Sequence, residues 1–434
     1  MSDLSETSEN EYESESESES DSESDYESPS SDDEYYGDKG NHFLNTIINK
    51  EYILIKKIGY GAYSSVWLSF NYTNGKYNAI KIQNPSDYKE GLLELKILKK
   101  LKKLNCIYIS NLIDNFIEVV NSNRYICMVF ELCACSLYTL IKNKYKLDIQ
   151  IIKQIIKQLI LGLNNLHNLG YYHTDIKPEN ILLKGISDDI LSFIELYDKM
   201  KFNDIYNKFK LEYFNINKLN KKNKNHIKKF NKKKKKKILL KTNKIIINEI
   251  NLDEINLNEI NLNNNNIIIN NKFLENINIK LADFGTIHDI KSGYYNDIST
   301  RYYKAPEVIL GLVHNEKVDI WAIGCLILEL LTNEIFFDPI KDKEYTRDFY
   351  HLYAMQKYCG KIPDYLIDKS PDKHNYFKKY KFKMKINYSS LEEYLKDNNI
   401  YDDELLDILT NTLNPDYKKR YSCEQCLNCK WLKL

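Results

Sequence analysis

The sequence predicts an α+β chain of two lobes, a small antiparallel-sheet lobe carrying one helix, followed by a larger, mainly α-helical lobe. Three observations predict it. Short runs rich in Ile, Val, Tyr and Phe, bounded by turn-formers, fill residues 52–131, which is how strands read. After Leu137 the apolar residues recur at helical spacing, as in IQIIKQIIKQLILGLNNLHNLG. VDIWAIGCLILELLTNEIFF is apolar nearly all round, as suits a helix buried inside a large lobe. Two such lobes leave a cleft between them where a ligand can sit.

In chain order, residues 1–42 come first. Among residues 1–40 sixteen Asp or Glu stand against the single Lys39, and Ser fills much of the rest. Such a segment cannot bury enough apolar surface to offset chain entropy, so a disordered acidic tail is expected. The sheet lobe, 43–131, holds candidate strands at YILIKKIGYG, SSVWLSFNY, KYNAIKI and YICMVFEL. Its helix is KEGLLELKILKKLKKL, where Leu92, Leu93, Leu95, Ile97, Leu98 and Leu101 recur near helical spacing. The helical lobe takes 132–184 and 277–434. Between those two parts, residues 185–276 read as a low-complexity insertion of Lys, Asn and Ile, with a five-residue repeat starting at Glu249, Glu254 and Glu259. Five is neither a helix nor a strand period, and a loop this long is disordered or functional in itself. Residues 199–245 hold eighteen Lys against Asp204 and Glu212, so the formal net charge of +1 averages two opposite segments.

Composition excludes several classes. No apolar run reaches bilayer-spanning length, and the first residues are acidic, so a soluble intracellular chain without a secretory signal or membrane partner is expected. Nine scattered Cys do not form a disulfide framework and fit a reducing compartment. CEQCLNC gives Cys423, Cys426 and Cys429 the spacing of zinc ribbons, but a fourth ligand is missing and Trp431 and Leu432 follow. Thiols on or beside a terminal helix are expected there instead. The lysine run 228–237 lacks Arg and, beyond Phe230, any aromatic platform. It reads as solvated chain rather than a nucleic-acid site, which places the protein in the cytoplasm with nuclear targeting as the alternative. A monomer is expected.

IGYGAYSSV joins two candidate strands through Ile58, Gly59, Tyr60, Gly61, Ala62, Tyr63, Ser64, Ser65 and Val66. Its glycines let backbone amides approach an anion, although glycine turns between strands are common. Lys81 ends the strand NAIK and could reach phosphates. Glu94, thirteen residues on, could orient Lys81 or merely pair with the helix's own lysines; spacing alone does not choose. In HTDIKPENILL, Asp175 can position a hydroxyl and take its proton, Lys177 can neutralise a transferred phosphoryl group, and Asn180 can ligate a metal, with Pro178 fixing the turn. IKLADFG ends a strand in Asp283 and Gly285, a second metal-ligating carboxylate at a flexible turn.

In this order and on these elements, the residues resemble those of the eukaryotic protein kinases, over roughly 300 residues outside the tail and the insertion. The resemblance implies the bilobal protein-kinase fold, with ATP and Mg²⁺ as cofactors. It makes Asp175 the catalytic base with Lys177 beside it, has Lys81 pair the α and β phosphates and Glu94, and gives Asn180 and Asp283 the magnesium ions. Phe130 would back the adenine pocket, with Glu131 to Cys133 as the hinge. Glu307 of KAPEV would pair with Arg420, and Asp319 would anchor the catalytic loop. Lys177 together with Thr300 resembles the serine/threonine class.

A closer likeness is to the kinases of arginine/serine-rich splicing factors, in HTDIKPENIL, ICMVFEL, GAYSSVWLSFN, EYTRD followed by GKIP, and the long spacer before the Asp-Phe-Gly turn. It implies protein substrates of basic, Arg/Ser-rich character. Ser64 replaces a third glycine, as that subgroup tolerates. Thr174 stands where many kinases carry the Arg that receives an activation-loop phosphate, so activity without prior phosphorylation is expected. Phe349, Tyr350 and Lys357 occupy a stretch where more acid is expected, although Asp338, Asp342, Glu344 and Asp348 lie nearby in sequence. Two other readings compete. A pseudokinase scaffold would normally lack the Lys or one of the Asp residues, and a nucleic-acid binder led by the insertion leaves the cleft residues unexplained.

Overall fold

The structure is a computed structural model that describes residues 43–44, 46–61, 63–198, 277–292 and 298–433. The acidic tail, Ala62 and the five-residue repeats of the insertion lie outside those residues.

The small lobe is a six-stranded sheet of β1 (Ile47–Ile48), β2 (Tyr52–Tyr60), β3 (Ser64–Asn71), β4 (Lys76–Gln83), β5 (Leu112–Val120) and β6 (Asn123–Phe130). Its order is β1-β2-β3-β4-β6-β5 and every pairing is antiparallel. Local chemistry sets the turns. Asn71 accepts backbone N–H bonds from Thr73 and Asn74 before Gly75 turns at φ 73°, and Asn121 and Ser122 both take positive φ to join β5 to β6. Helix α1 (Tyr88–Lys103) buries Glu94, Ile97, Leu98 and Leu101, one face at i, i+3, i+4 and i+7. Leu92 and Leu93 fit the helical spacing but stay exposed.

The large lobe runs through β7 (Cys133–Ser136), α2 (Leu137–Lys142), α3 (Ile149–Asn168), β8 (Tyr171–Tyr172), β9 (Ile181–Lys184), α4 (Asp188–Tyr197), β10 (Ile279–Leu281) and β11 (His288–Asp289). It continues with α5 (Pro306–Ile309), α6 (Lys317–Thr332), α7 (Arg347–Cys359), α8 (Asp364–Lys369), α9 (Lys373–Tyr376), β12 (Phe377–Lys378), β13 (Lys381–Phe382), α10 (Leu391–Asp397), α11 (Asp403–Thr412) and α12 (Cys423–Asn428). Helix α6 is buried on all sides from Val318 to Leu330, as its uniformly apolar sequence requires. Gly324 lets α11 reach it, since a Cβ there would stand 2.6 Å from Leu413 Cγ. Among the described residues no helix is long and apolar enough to cross a membrane.

The insertion differs from expectation at its start. Residues 188–197, assigned above to a low-complexity loop, form α4, which packs Ile190 and Ile194 on Leu68 and seats the fully buried Tyr197 against Phe70 and Tyr77. Tyr77 also donates to Asp198 at 2.7 Å. The local composition DDILSFIELY is amphipathic, a signal that the Asn- and Lys-rich text after it obscures. A segment from the large lobe therefore covers the small lobe's sheet, with Leu132 of the hinge in the same cluster.

Cys423 and Cys426 are buried on α12, and among the described residues no group of three or more metal-ligating side chains forms. The expected pairing of Glu307 with Arg420 is bidentate, at 2.6 and 3.0 Å, and both side chains are buried. Arg420 also donates to the carbonyls of Lys317 and Asn414 and lies over the Trp321 ring. With its donors used, this pair locks α5 to the end of the chain. Arg420→Ala leaves the Glu307 carboxylate buried and uncompensated, so chemical unfolding should report a loss of about 3–5 kcal/mol. Glu307→Gln combined with Arg420→Met should recover part of that loss.

Candidate active site

Strand pairing places Lys81 opposite Val66 on β3 and Met128 on β6, at the cleft end of β4. Its ammonium contacts both oxygens of Glu94, at 2.8 and 2.9 Å, and Asp283 Oδ1 at 2.8 Å. Glu94 is 1% exposed, so it is no surface partner of the helix lysines. The bridge joins β4 and α1 of the small lobe to the turn after β10 in the large one. Burial opposes the charge on Lys81, but the carboxylates of Asp283 and Glu94 outweigh it and hold the ammonium above its ordinary range. Lys81 in turn draws the Asp283 carboxyl down to about 2. Asp283 adopts φ 59°, an uncommon conformation for a side-chain-bearing residue. Gly285 leaves room beside it: a Cβ there would stand 3.3 Å from Asp283 Oδ1.

The loop after β8 hangs from one buried carboxylate. Asp319 on α6 accepts the backbone N–H groups of His173 and Thr174, each at 2.8 Å, and meets His167 Nε2 at 2.8 Å. Thr174 takes φ 73° and donates its hydroxyl to the Thr286 carbonyl. The next residue, Asp175, offers its backbone N–H to His173 Nδ1, which leaves His173 Nε2–H to donate to the Ala282 carbonyl at 3.0 Å. His173 thereby ties the loop to the strand before Asp283.

Asp175 gathers the remaining polar residues. Its Oδ1 accepts from the Thr300 hydroxyl at 2.7 Å and the Thr300 amide at 3.2 Å. Its Oδ2 meets Lys177 Nζ at 2.9 Å and Asn180 Nδ2 at 3.1 Å. Burial alone would raise this carboxyl, but Lys177 and Thr300 hold it below the ordinary range. Lys177 also donates to the Thr300 hydroxyl at 2.9 Å. Ser299 donates to the Thr174 carbonyl and Arg301 pairs with Asp348 on α7, so the segment 298–303 is fixed from both sides.

Asn180 spends its amide hydrogens on Asp175, which turns its amide oxygen away from that contact. That oxygen and the Asp283 carboxylate are a hard-oxygen donor pair of the kind Mg²⁺ accepts alongside phosphate oxygens, so the residues fit the ion. The glycine loop fits a bound phosphate chain too. A Cβ at Gly61 would meet no protein atom within 4 Å, which leaves open space above the backbone. Tyr60 and Tyr63 at its tip are exposed, Ser64 is half-buried, Ile58 packs on the cluster of Leu68, Ile190 and Ile194, and Ser65 is buried as acceptor for the Trp67 indole. Val66 is half-buried beside Gly59. Phe130 ends β6, and Cys133 opens β7. The Glu131 side chain is engaged by Lys280 at 2.8 Å.

Sequence reading therefore brought together Lys81, Glu94, Asp175, Lys177, Asn180, Asp283 and Thr300. It passed over His173, Ser299, His167 and Lys280. A histidine two residues before Asp175 was visible, but its role depends on meeting Ala282, more than a hundred residues away.

Behind the segment, Tyr303 donates to Glu329 Oε2 on α6 at 2.5 Å. Burial pushes the Glu329 carboxyl up to about 7, and Glu179 nearby adds to the shift. A carboxyl raised in the folded state contributes stability present below its unfolded value of 4.5, and that contribution is lost as pH rises through about 7. Urea unfolding from pH 4.5 to 8 should show the wild type losing up to about 3 kcal/mol relative to Glu329→Gln.

The profile of the family described as Protein kinase domain matches residues 52–198 and 187–432. A chain of Acanthamoeba polyphaga mimivirus, named by inference as the serine/threonine-protein kinase L205, is 27% identical over 431 residues, 79% of each chain. The serine/threonine-protein kinase SRPK of Physarum polycephalum is 28% identical over 79% of this chain and 75% of its own. Protein kinase dsk1 of Schizosaccharomyces pombe is 25% identical over 92% of this chain and 82% of its own.

Proposed function

The chain belongs to the protein kinase family and is an ATP-dependent serine/threonine kinase acting on proteins; we propose that Asp175 is its catalytic base and that its acceptors lie in basic, Arg/Ser-rich segments. The observation that carries the first part is the Thr300 hydroxyl, which rests 2.7 Å from Asp175 Oδ1 with Lys177 at 2.9 Å from the same hydroxyl. A seat that holds one hydroxyl against an ionised carboxylate and an ammonium is built to hold another. An acceptor hydroxyl there would give its proton to Asp175 as its oxygen attacks the γ-phosphorus of ATP; the bond from that phosphorus to the β–γ bridging oxygen breaks and ADP leaves with its electron pair, while Lys177 offsets the charge of the moving phosphoryl group. Lys81, kept in place by Glu94, would hold the α and β phosphates under the backbone of residues 58–66. Asn180 and Asp283 would hold Mg²⁺, which when bound neutralises phosphate charge.

Support for the basic-acceptor preference comes from the likeness to the Physarum SRPK and from exposed acids near α7, Asp338 and Glu344; Asp342 is already held by the Tyr350 hydroxyl and the amides of Glu344 and Tyr345. Asp348 is less available, since Arg301 already pairs with it. A monomer in the cytoplasm completes the proposal, supported by nine free cysteines.

Labelled-phosphate transfer from Mg-ATP to an Arg-Ser repeat peptide and to an acidic Ser peptide tests both parts. The first peptide should be labelled faster, and Asp175→Asn should cut the rate by about 100-fold or more. Labelling of the acidic peptide alone would remove the acceptor preference. Undiminished transfer by Asp175→Asn would remove the base.

A further inference from the structure

CEQCLNC places Cys423 at the first residue of α12, and there its thiol meets a partner more than two hundred residues away in the chain. Cys423 Sγ lies 3.3 Å from Nδ1 of His167, in the last turn of α3, while His167 Nε2 meets Asp319 Oδ2 at 2.8 Å. One imidazole thus joins the last helix of the chain to the carboxylate from which the Asp175 loop hangs. All three groups are shielded from water: Cys423 is 2% exposed, Asp319 1% and the His167 side chain 8%. In such surroundings no solvent replaces a lost partner. The backbone that carries Cys423 is held on both sides. Ser422 caps α12 by accepting the Gln425 amide at 3.2 Å, and Gln425 Oε1 accepts the Ser422 amide at 2.8 Å, a reciprocal cap that fixes the first turn. Just before it, Arg420 is locked to Glu307 and to the Lys317 carbonyl. The sulfur is therefore delivered to His167 by contacts that lie outside the cleft.

We propose that Cys423 is a positioning residue for phosphoryl transfer, acting through His167 on Asp319 and so on the loop that presents Asp175, a role that rests on the reading of Asp175 as the catalytic base. Which nitrogen of an imidazole carries hydrogen is set by what the other one meets. Asp319 Oδ2 needs an N–H from the ring, because it already accepts the His173 amide and has no hydrogen to give. The hydrogen between Sγ and Nδ1 can rest on either atom, and in both cases Nε2 keeps its own for Asp319. Burial opposes a charge on the ring, but Cys423 and Asp319 outweigh it and push His167 up to about 10, as suits a ring held from both sides. With the thiol removed, Nδ1 is left buried without this partner, and the ring either keeps an unpaired nitrogen or turns a lone pair on the carboxylate. The loop is sensitive to that change. Thr174 holds φ 73° while its amide donates to Asp319 Oδ1, and a conformation of that kind persists only where its surroundings over-determine it. Cys423 touches neither nucleotide nor acceptor; it steadies the group that holds the loop.

Cys423→Ala and Cys423→Ser in the full chain test this, since both remove the sulfur and they differ only by a hydroxyl that can donate to Nδ1. Lost packing burdens the two alike. In transfer from Mg-ATP to the Arg-Ser repeat peptide, Cys423→Ala should lower kcat about tenfold with the KM for ATP unchanged, and Cys423→Ser should recover most of that loss. Nitrogen spectra of wild-type chain labelled with ¹⁵N-histidine give a second readout that needs neither turnover nor a folded variant. They should show a hydrogen on His167 Nε2 and a hydrogen-bonded Nδ1. Wild-type kcat in Cys423→Ala, equal losses in the Ala and Ser variants, or a bare Nε2 in the wild type would each overturn the proposal. Because the spectra report the contact without catalysis, its failure is distinguishable from a failure of the base assignment, which Asp175→Asn tests.

Discussion

One buried carboxylate sets the geometry on which the chemistry depends. Asp319 has three partners, the amides of His173 and Thr174 and the ring of His167, and a buried carboxylate is tolerated only when hydrogen-bonded in this way. Because two successive amides must converge on it, Thr174 is forced to φ 73°, and the following residue turns out towards the cleft. Asp175 reaches Thr300, Lys177 and Asn180 for that reason. The anchor sits on α6, which is buried on all sides from Val318 to Leu330. Function in the cleft thus rests on packing that ligands never touch.

A second constraint joins the lobes. Lys81 bridges Glu94 and Asp283, so the position of α1 and the turn at Asp283 are set by the same ammonium. Helix α4 adds a mechanical tie, since it leaves the large lobe after β9 and buries Tyr197 against the small lobe's sheet. Both ties hold the lobes in one arrangement without any group added to the segment 298–303. That segment is fixed by its own side chains, through Ser299, Thr300 and Arg301.

Much of this was legible in the sequence because the residues concerned are local to punctuated motifs. Gly59 and Gly61 mark a strand-to-strand turn, Pro178 fixes the catalytic loop, and short runs rich in Ile, Val, Tyr and Phe mark the sheet. Glu94 was ambiguous, since its burial depends on which face of α1 meets the sheet, and that face excludes Leu92 and Leu93. Helix α4 was missed because its ten residues merge in composition with the Asn- and Lys-rich text that follows. His173 and Lys280 escaped for a different reason. Each acts on a partner far away in the chain, Ala282 and Glu131, and local pattern carries no record of such contacts.

The central claim is that the cleft is assembled by the fold itself, with Thr174 in place of a phosphate-receiving Arg. The most direct test is the phosphoryl-transfer rate of chain treated with phosphatase and shown by mass spectrometry to carry no phosphate, compared with chain first incubated with Mg-ATP. Equal rates, within about twofold, are predicted, since no charge-assisted contact in segment 298–303 waits for a phosphate. A rate that collapses on phosphate removal and returns on rephosphorylation would contradict it, and would mean that the contacts of Ser299, Thr300 and Arg301 do not suffice to hold the segment.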